Sequence, residues 1–266
     1  MKRPFTCVLL TATVTLTALA QDWARARLEN SPRHLEWVKV KHGAREVNCF
    51  LAFPEVKDKA TAVVLIHEIF GLTDWVRGVA DQLAEAGYIA IAPDLLSGAA
   101  PGGGGTAELG SGDAVRKAIA TLPPDQITAD LRAVVAHVAA LPACNGKVAV
   151  AGFCWGGSET FRFATNAREP KAFFVFYGSG PSAEAELARV QAPVYGFYGG
   201  NDARVNATIP ATTEAMKKLS KHFEPVIYDG AGHGFMRAGE APDASEANRK
   251  ARAEAWARWK SLLRGL

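Results

Sequence analysis

Apolar residues along the chain fall into two kinds of run, and the two kinds alternate. Positions 35–40 and 46–53 alternate apolar with polar side chains, as strands with one face on a core do, and they lie close enough in sequence to pair antiparallel. Positions 61–67 (TAVVLIH) are apolar almost throughout, the pattern of a central parallel strand covered on both faces. Further strand-like runs occupy 88–92, 147–151, 172–177, 193–198 and 224–228. Helical spacing fills the intervals: 73–86, with Thr73 as N-cap and Gly87 as stop; 129–141, stopped by Pro142; 158–167; and 206–221. A terminal amphipathic helix is expected over 244–263, with Trp256, Trp259 and Leu263 at packing intervals. Alternation of this kind predicts an α/β fold, a mostly parallel sheet with helices on both faces.

Two segments depart from the rhythm. Positions 97–111 contain Pro101 and Gly102-Gly103-Gly104-Gly105 and show no period. A phosphate loop needs Gly-Lys-Ser/Thr after its glycines, whereas Gly105 is followed by Thr106-Ala107, so the segment reads as a flexible loop over or beside a site. The first twenty residues read as a leader: Lys2 and Arg3, an uncharged stretch over 5–20 diluted by threonines, and Ala18-Leu19-Ala20 before Gln21. The expected organisation is a signal peptide over 1–20 and one domain over 21–266, exported to the periplasm or beyond, with no stable membrane association after cleavage.

The chain has 266 residues, 48% of them apolar and 21% charged, which suits one domain with a large core. Lys2 and Arg3 supply two of the three net positive charges, so the mature chain is nearly neutral. Nothing in that balance calls for nucleic acid or an anionic membrane. Cys49, Cys144 and Cys154 follow the leader, and an odd count in an oxidising compartment means one pair plus one free thiol or three free thiols; if Cys154 is reserved for chemistry, Cys49 and Cys144 are the only pair available.

Gly152 to Gly157 read G-F-C-W-G-G directly after the 147–151 strand. This is the nucleophile-elbow pattern of an α/β-hydrolase, with cysteine where serine usually stands. A lone cysteine is ordinarily a small buried apolar residue. Here the flanking glycines permit a tight strand–turn–helix that lifts Cys154 above the sheet, at a helix N-terminus that favours a thiolate. The fold demands the order nucleophile, acid, histidine. Asp202, after the 193–198 strand, and His233, after the 224–228 strand, meet it: His233 as proton carrier, Asp202 holding the imidazole. Both lie past strand carboxyl ends, where open α/β sheets place ligand sites. The loop after the 61–67 strand and the residue after the nucleophile supply the oxyanion-hole amides in this fold, which nominates Ile69 and Trp155. His67-Glu68-Ile69-Phe70-Gly71 is not a zinc-protease motif, because Gly71 stands where the second histidine would be. Tyr177, at the end of its strand, is assigned to the pocket wall.

Together H-E-I-F-G, G-F-C-W-G-G, G-G-N-D and A-G-H-G-F-M-R resemble the dienelactone hydrolase family, over nearly all of the mature chain. The resemblance implies hydrolysis of carboxylate-bearing enol-lactones through a thioester on Cys154. It implies that Glu68 contacts the resting thiol and receives its proton, and that Arg237 pairs with the substrate carboxylate. The family's second arginine, in the region after Pro93-Asp94, has no clear counterpart; between Gly78 and Leu131 the only arginine is Arg116. The implied partner is a small-molecule ester or lactone, with no metal or organic cofactor, since a triad and oxyanion hole suffice for acyl transfer. Two other readings stand beside it: a general exported carboxylesterase without carboxylate recognition, and a non-catalytic binding protein on the same fold. The leader assignment predicts an exported chain beginning near Gln21. N-terminal sequencing that finds Met1 on the exported protein overturns it.

Overall fold

The computed structural model describes residues 22–266, so the leader lies outside the described residues. Eight strands form one sheet: β1 (Leu35–His42), β2 (Arg45–Ala52), β3 (Ala60–Ile66), β4 (Ile89–Pro93), β5 (Cys144–Phe153), β6 (Ala172–Phe176), β7 (Val194–Gly199) and β8 (Phe223–Tyr228). Their order is β1-β2-β4-β3-β5-β6-β7-β8. β1 and β2 pair antiparallel, β2 meets β4 antiparallel, and every pair from β4 to β8 is parallel. The antiparallel entry and the parallel body match the change from alternating to continuous apolar runs.

The helices are α1 (Asp22–Glu29), α2 (Asp74–Glu85), α3 (Gly112–Ala120), α4 (Pro124–Ala139), α5 (Trp155–Ala164), α6 (Glu184–Leu187), α7 (Ala203–Asn206), α8 (Ile209–Lys218), α9 (Phe235–Ala238) and α10 (Glu246–Arg264). Two main cores lie on opposite faces of the sheet. In β5, Ala149, Ala151 and Phe153 join α2 and α10 on one face, while Val148 and Val150 join α4 and α5 on the other. Burial on both faces is why β5 carries no polar alternation in its second half. Trp259 of α10 packs edge-on to Phe176, with ring centroids 4.8 Å apart, directly beneath the strand ends that carry the chemistry.

Several local expectations are corrected. The 206–221 helix is shorter than expected: it is α8, Ile209–Lys218, with Pro210 in its first turn where a missing N–H is tolerated, and the separate α7 precedes it. α4 begins five residues ahead of position 129, with proline in its first turn, where a missing N–H costs nothing. The glycine-rich stretch makes two short 3-10 turns and leads into α3. It is stitched to the sheet by Asp94, which accepts from the Thr106 amide and hydroxyl at 2.7 Å each, while Thr106 Oγ1 accepts from the Leu72 amide at 3.1 Å. Cys49 and Cys144 are free and buried, not bridged. Cys49 lies on β2 and Cys144 on β5, with β4 and β3 between. Three strand spacings, about 14 Å, exceed any disulfide span. Thiol counting on the denatured, unreduced mature chain is therefore expected to give three free thiols (Cys49, Cys144, Cys154), and a count of one would refute this arrangement.

Candidate active site

β5 ends at Phe153 and α5 begins at Trp155, so the whole reversal falls on Cys154, at φ 56° and ψ −116°. That is strained for a residue with a side chain and costs about 1–3 kcal/mol. The bend survives because the backbone around it approaches closer than side chains allow. A Cβ on Gly156 would strike the carbonyls of Ile66 and His67, and one on Gly152 would strike the Gly156 backbone. The Cys154 amide is anchored to the Phe176 carbonyl at 3.0 Å.

The loops after β7 and β8 are laced together. Gly200 N donates to Tyr228 O and Asn201 N to Ala231 O, each at 2.8 Å, and Gly232 N donates to Asn248 Oδ1 at 2.9 Å. This brings three distant side chains into line. Cys154 Sγ lies 3.1 Å from His233 Nε2, and His233 Nδ1 lies 2.5 Å from Asp202 Oδ2. Asp202 is buried and also accepts from the Val205 amide at the start of α7. The hydrogen bond to the Cys154 sulfur, supported by Asp202, raises the His233 pKa to about 9 against the opposing effect of burial. An imidazolium is thus held beside the sulfur.

Glu68 and Tyr177 are buried next to this row, and Arg237 is partly so. Arg237 Nε donates to Glu68 Oε2 at 2.7 Å, and the Tyr177 hydroxyl to Glu68 Oε1 at 3.5 Å. Tyr177 has a positive φ of 42° and sets its ring edge-on to His233, 5.1 Å between centroids. Burial pushes the Glu68 carboxyl up, against the pull of the Arg237 guanidinium. Burial and the Glu68 charge push the Tyr177 hydroxyl up as well. The expected Glu68–thiol contact is absent among the described residues. The sulfur faces His233, and the Glu68 oxygens are taken by Arg237 and Tyr177. Arg116 does not join Arg237; it is exposed and pairs with Asp113 on its own helix.

Ile69 lies three residues past the end of β3, in a turn closed by Gly71 N to Glu68 O at 3.1 Å, and Trp155 opens α5. Both side chains pack against the small apolar cluster of Leu96, Val115 and Ile119. Sequence reasoning passed over His67, which is fully buried, bonds the Glu68 carbonyl through Nδ1 at 2.8 Å and stacks on Trp155 at 5.4 Å. Its place just past a continuous apolar strand is the sequence signal for this burial. No group of histidine, cysteine and acidic side chains among the described residues could hold a metal. The arrangement can generate a thiolate, stabilise an oxyanion and return a proton to a leaving group.

The model of the dienelactone hydrolase family matches residues 47–266. Curated relatives named "Putative carboxymethylenebutenolidase" include one from Salmonella typhimurium, 32% identical over 77% of this chain and 78% of its own. Another, from Saccharolobus solfataricus, is 29% identical over 82% of this chain and 94% of its own. Among solved structures, a "Putative Dienelactone Hydrolase" from Klebsiella pneumoniae superposes with a TM-score of 0.76 at 24% identity, over 88% of this chain and 99% of its own, which shows the fold.

The His233 pKa has a direct consequence. The imidazolium is present below about pH 9 and lost above it. Turnover of an alkyl ester, whose leaving group needs that proton, is expected to decline as pH rises through this value. Asp202→Asn should lower kcat by about 10³–10⁴-fold and move the decline to lower pH. A pH–rate profile with an unmoved basic limb would contradict the assigned relay.

Proposed function

The chain belongs to the dienelactone hydrolase family and is a hydrolase of the ester and lactone type, and we propose that it acts through a thioester on Cys154, with carboxylate-bearing esters or lactones as preferred substrates. The observation that carries this reading is the continuous row Cys154–His233–Asp202 at the carboxyl edge of the sheet.

In this reading the Cys154 thiolate attacks the carbonyl carbon and a C–S bond forms. The oxygen takes the negative charge and is met by the Ile69 and Trp155 amides. Collapse breaks the C–O bond to the alcohol, and His233 gives its proton to the departing oxygen. In a lactone that oxygen stays tethered, so the ring opens. Water then attacks the thioester while His233 takes its proton. The C–S bond breaks, and the carboxylic acid leaves with the thiolate regenerated. Ester and water become acid and alcohol, with no other reactant.

Arg237 is the proposed anchor for the substrate carboxylate. Its Nε is taken by Glu68, and a guanidinium has two further nitrogens that suit a carboxylate fork. Glu68 and Tyr177 then serve to hold Arg237 at the mouth of the site. The leader pattern supports export of the mature enzyme.

Cys154→Ala is expected to abolish turnover of a small activated ester such as p-nitrophenyl acetate. Retained turnover in that variant would eliminate the thioester route. Arg237→Ala should raise KM for a carboxylated ester by about tenfold or more and change that for a neutral ester little. Equal effects on both would favour a general carboxylesterase.

A further inference from the structure

His67, the first residue past β3, is fully buried, and no step of the reaction above uses it. Its two ring nitrogens have unequal settings. Nδ1 lies 2.8 Å from the Glu68 carbonyl oxygen, which can only accept, so Nδ1 carries the proton. Burial lowers the pKa of the ring and keeps it neutral. Nε2 is then a bare acceptor, and among the described residues it meets no hydrogen-bond partner. A buried nitrogen without a partner is a cost that a phenyl ring at this position would not carry. What the imidazole supplies, and a phenyl ring cannot, is the Nδ1–H.

That donor acts on one peptide unit. The Glu68 carbonyl and the Ile69 amide share a rigid plane, with C=O and N–H pointing in opposite directions. The carbonyl accepts from His67 Nδ1 and, at 3.1 Å, from Gly71 N. Two donors on the oxygen fix where the Ile69 N–H points. They also polarise the plane, which makes that N–H a stronger donor. The far end of the loop is held separately, by Leu72 N donating to Thr106 Oγ1 at 3.1 Å. The same histidine is braced from α5. Its ring stacks on Trp155, with 5.4 Å between centroids and 21° between planes. Its carbonyl lies where a Cβ on Gly156 would be, so the first turn of α5 abuts its backbone. His67 therefore joins the loop that carries Ile69 to the residue that follows Cys154.

We infer that His67 is a positioning residue for the oxyanion site: its Nδ1–H aims and polarises the Ile69 amide, and its ring seats Trp155 beside the nucleophile. This deepens the ester-hydrolase reading above and rests on it. His67 acts through the peptide it holds, not on the substrate. An amide already aimed and polarised needs no reorganisation as charge develops on the carbonyl oxygen, so the effect belongs to the transition state and to kcat.

The test sets two variants against each other. His67→Phe keeps a ring to stack on Trp155 and removes the donor. His67→Asn gives up the ring and keeps a donor in the same place, because Asn Nδ2 and His Nδ1 are both bonded to Cγ. With p-nitrophenyl acetate, His67→Phe is expected to lower kcat about 10- to 100-fold while KM stays within about twofold, and His67→Asn to be about tenfold faster than His67→Phe. A residue kept only for packing predicts the reverse order, since phenylalanine fills the space and asparagine leaves a cavity. Alkylation of Cys154 by iodoacetamide forms no oxyanion, so its rate should match the parent in both variants. If His67→Asn fails to fold, His67→Phe decides alone with a trifluoromethyl ketone, whose carbonyl carbon takes the sulfur and whose oxygen takes the charge. Its affinity should fall by the same factor as kcat while alkylation holds. An undiminished kcat in His67→Phe, a His67→Asn no faster than His67→Phe, or kcat and alkylation falling together overturns the positioning role and leaves the hydrolase reading standing. A parent that does not hydrolyse the ester, or a Cys154→Ala variant that does, overturns the hydrolase reading and this inference with it.

Discussion

The structure depends on one steric constraint, the backbone bend at Cys154. A side chain at φ 56° is tolerated only where its surroundings leave the chain no better path. Those surroundings are backbone, not side chains. α5 starts against the carbonyls that end β3, and the elbow amide is tied to the end of β6. The strain is offset by two cores on opposite faces of the sheet, with Trp259 and Phe161 fully buried in one each. A sulfur is thereby held at a helix N-terminus.

Electrostatics then divide the site into two linked pairs. His233 is held charged by the sulfur on one side and Asp202 on the other. Glu68 is buried, and its negative charge is tolerable because Arg237 meets it. Removing Arg237 leaves the buried Glu68 carboxyl without its cationic partner. The Glu68–Arg237 pair therefore belongs to the architecture of the site as well as to recognition. Tyr177 joins the two pairs, with its ring on His233 and its hydroxyl on Glu68.

Outside the elbow, the positions of the reacting groups rest on polar ties between loops. Asn248 on α10 holds the peptide before His233, and Asp94 pins the glycine-rich segment through Thr106. Loops joined in this way lose the freedom that their composition suggests. Positions 97–111 read as structureless because glycine and proline carry no period, yet Asp94 lies outside that window and its carboxylate supplies the order.

The sequence by itself determined the strand–helix alternation, the elbow and the order of Cys154, Asp202 and His233, because each depends on residues close together or on chain order. Periodicity is a local property, and so is a turn that only glycine permits. Tertiary structure decided what depends on separation across the sheet. Cys49 and Cys144 stay apart because two strands intervene, which no count of cysteines reveals. Glu68 turns to Arg237 instead of the thiol, although 169 residues separate them, because strand order brings the end of β3 beside α9. α1 was invisible because a short helix anchored by a few buried side chains has too little apolar period to declare itself, whereas α3 carries Val115 and Ile119 at helical spacing and escaped notice behind the glycine-rich segment. Side-chain partners form by distance in space, and one sequence encodes that distance only through the folded sheet.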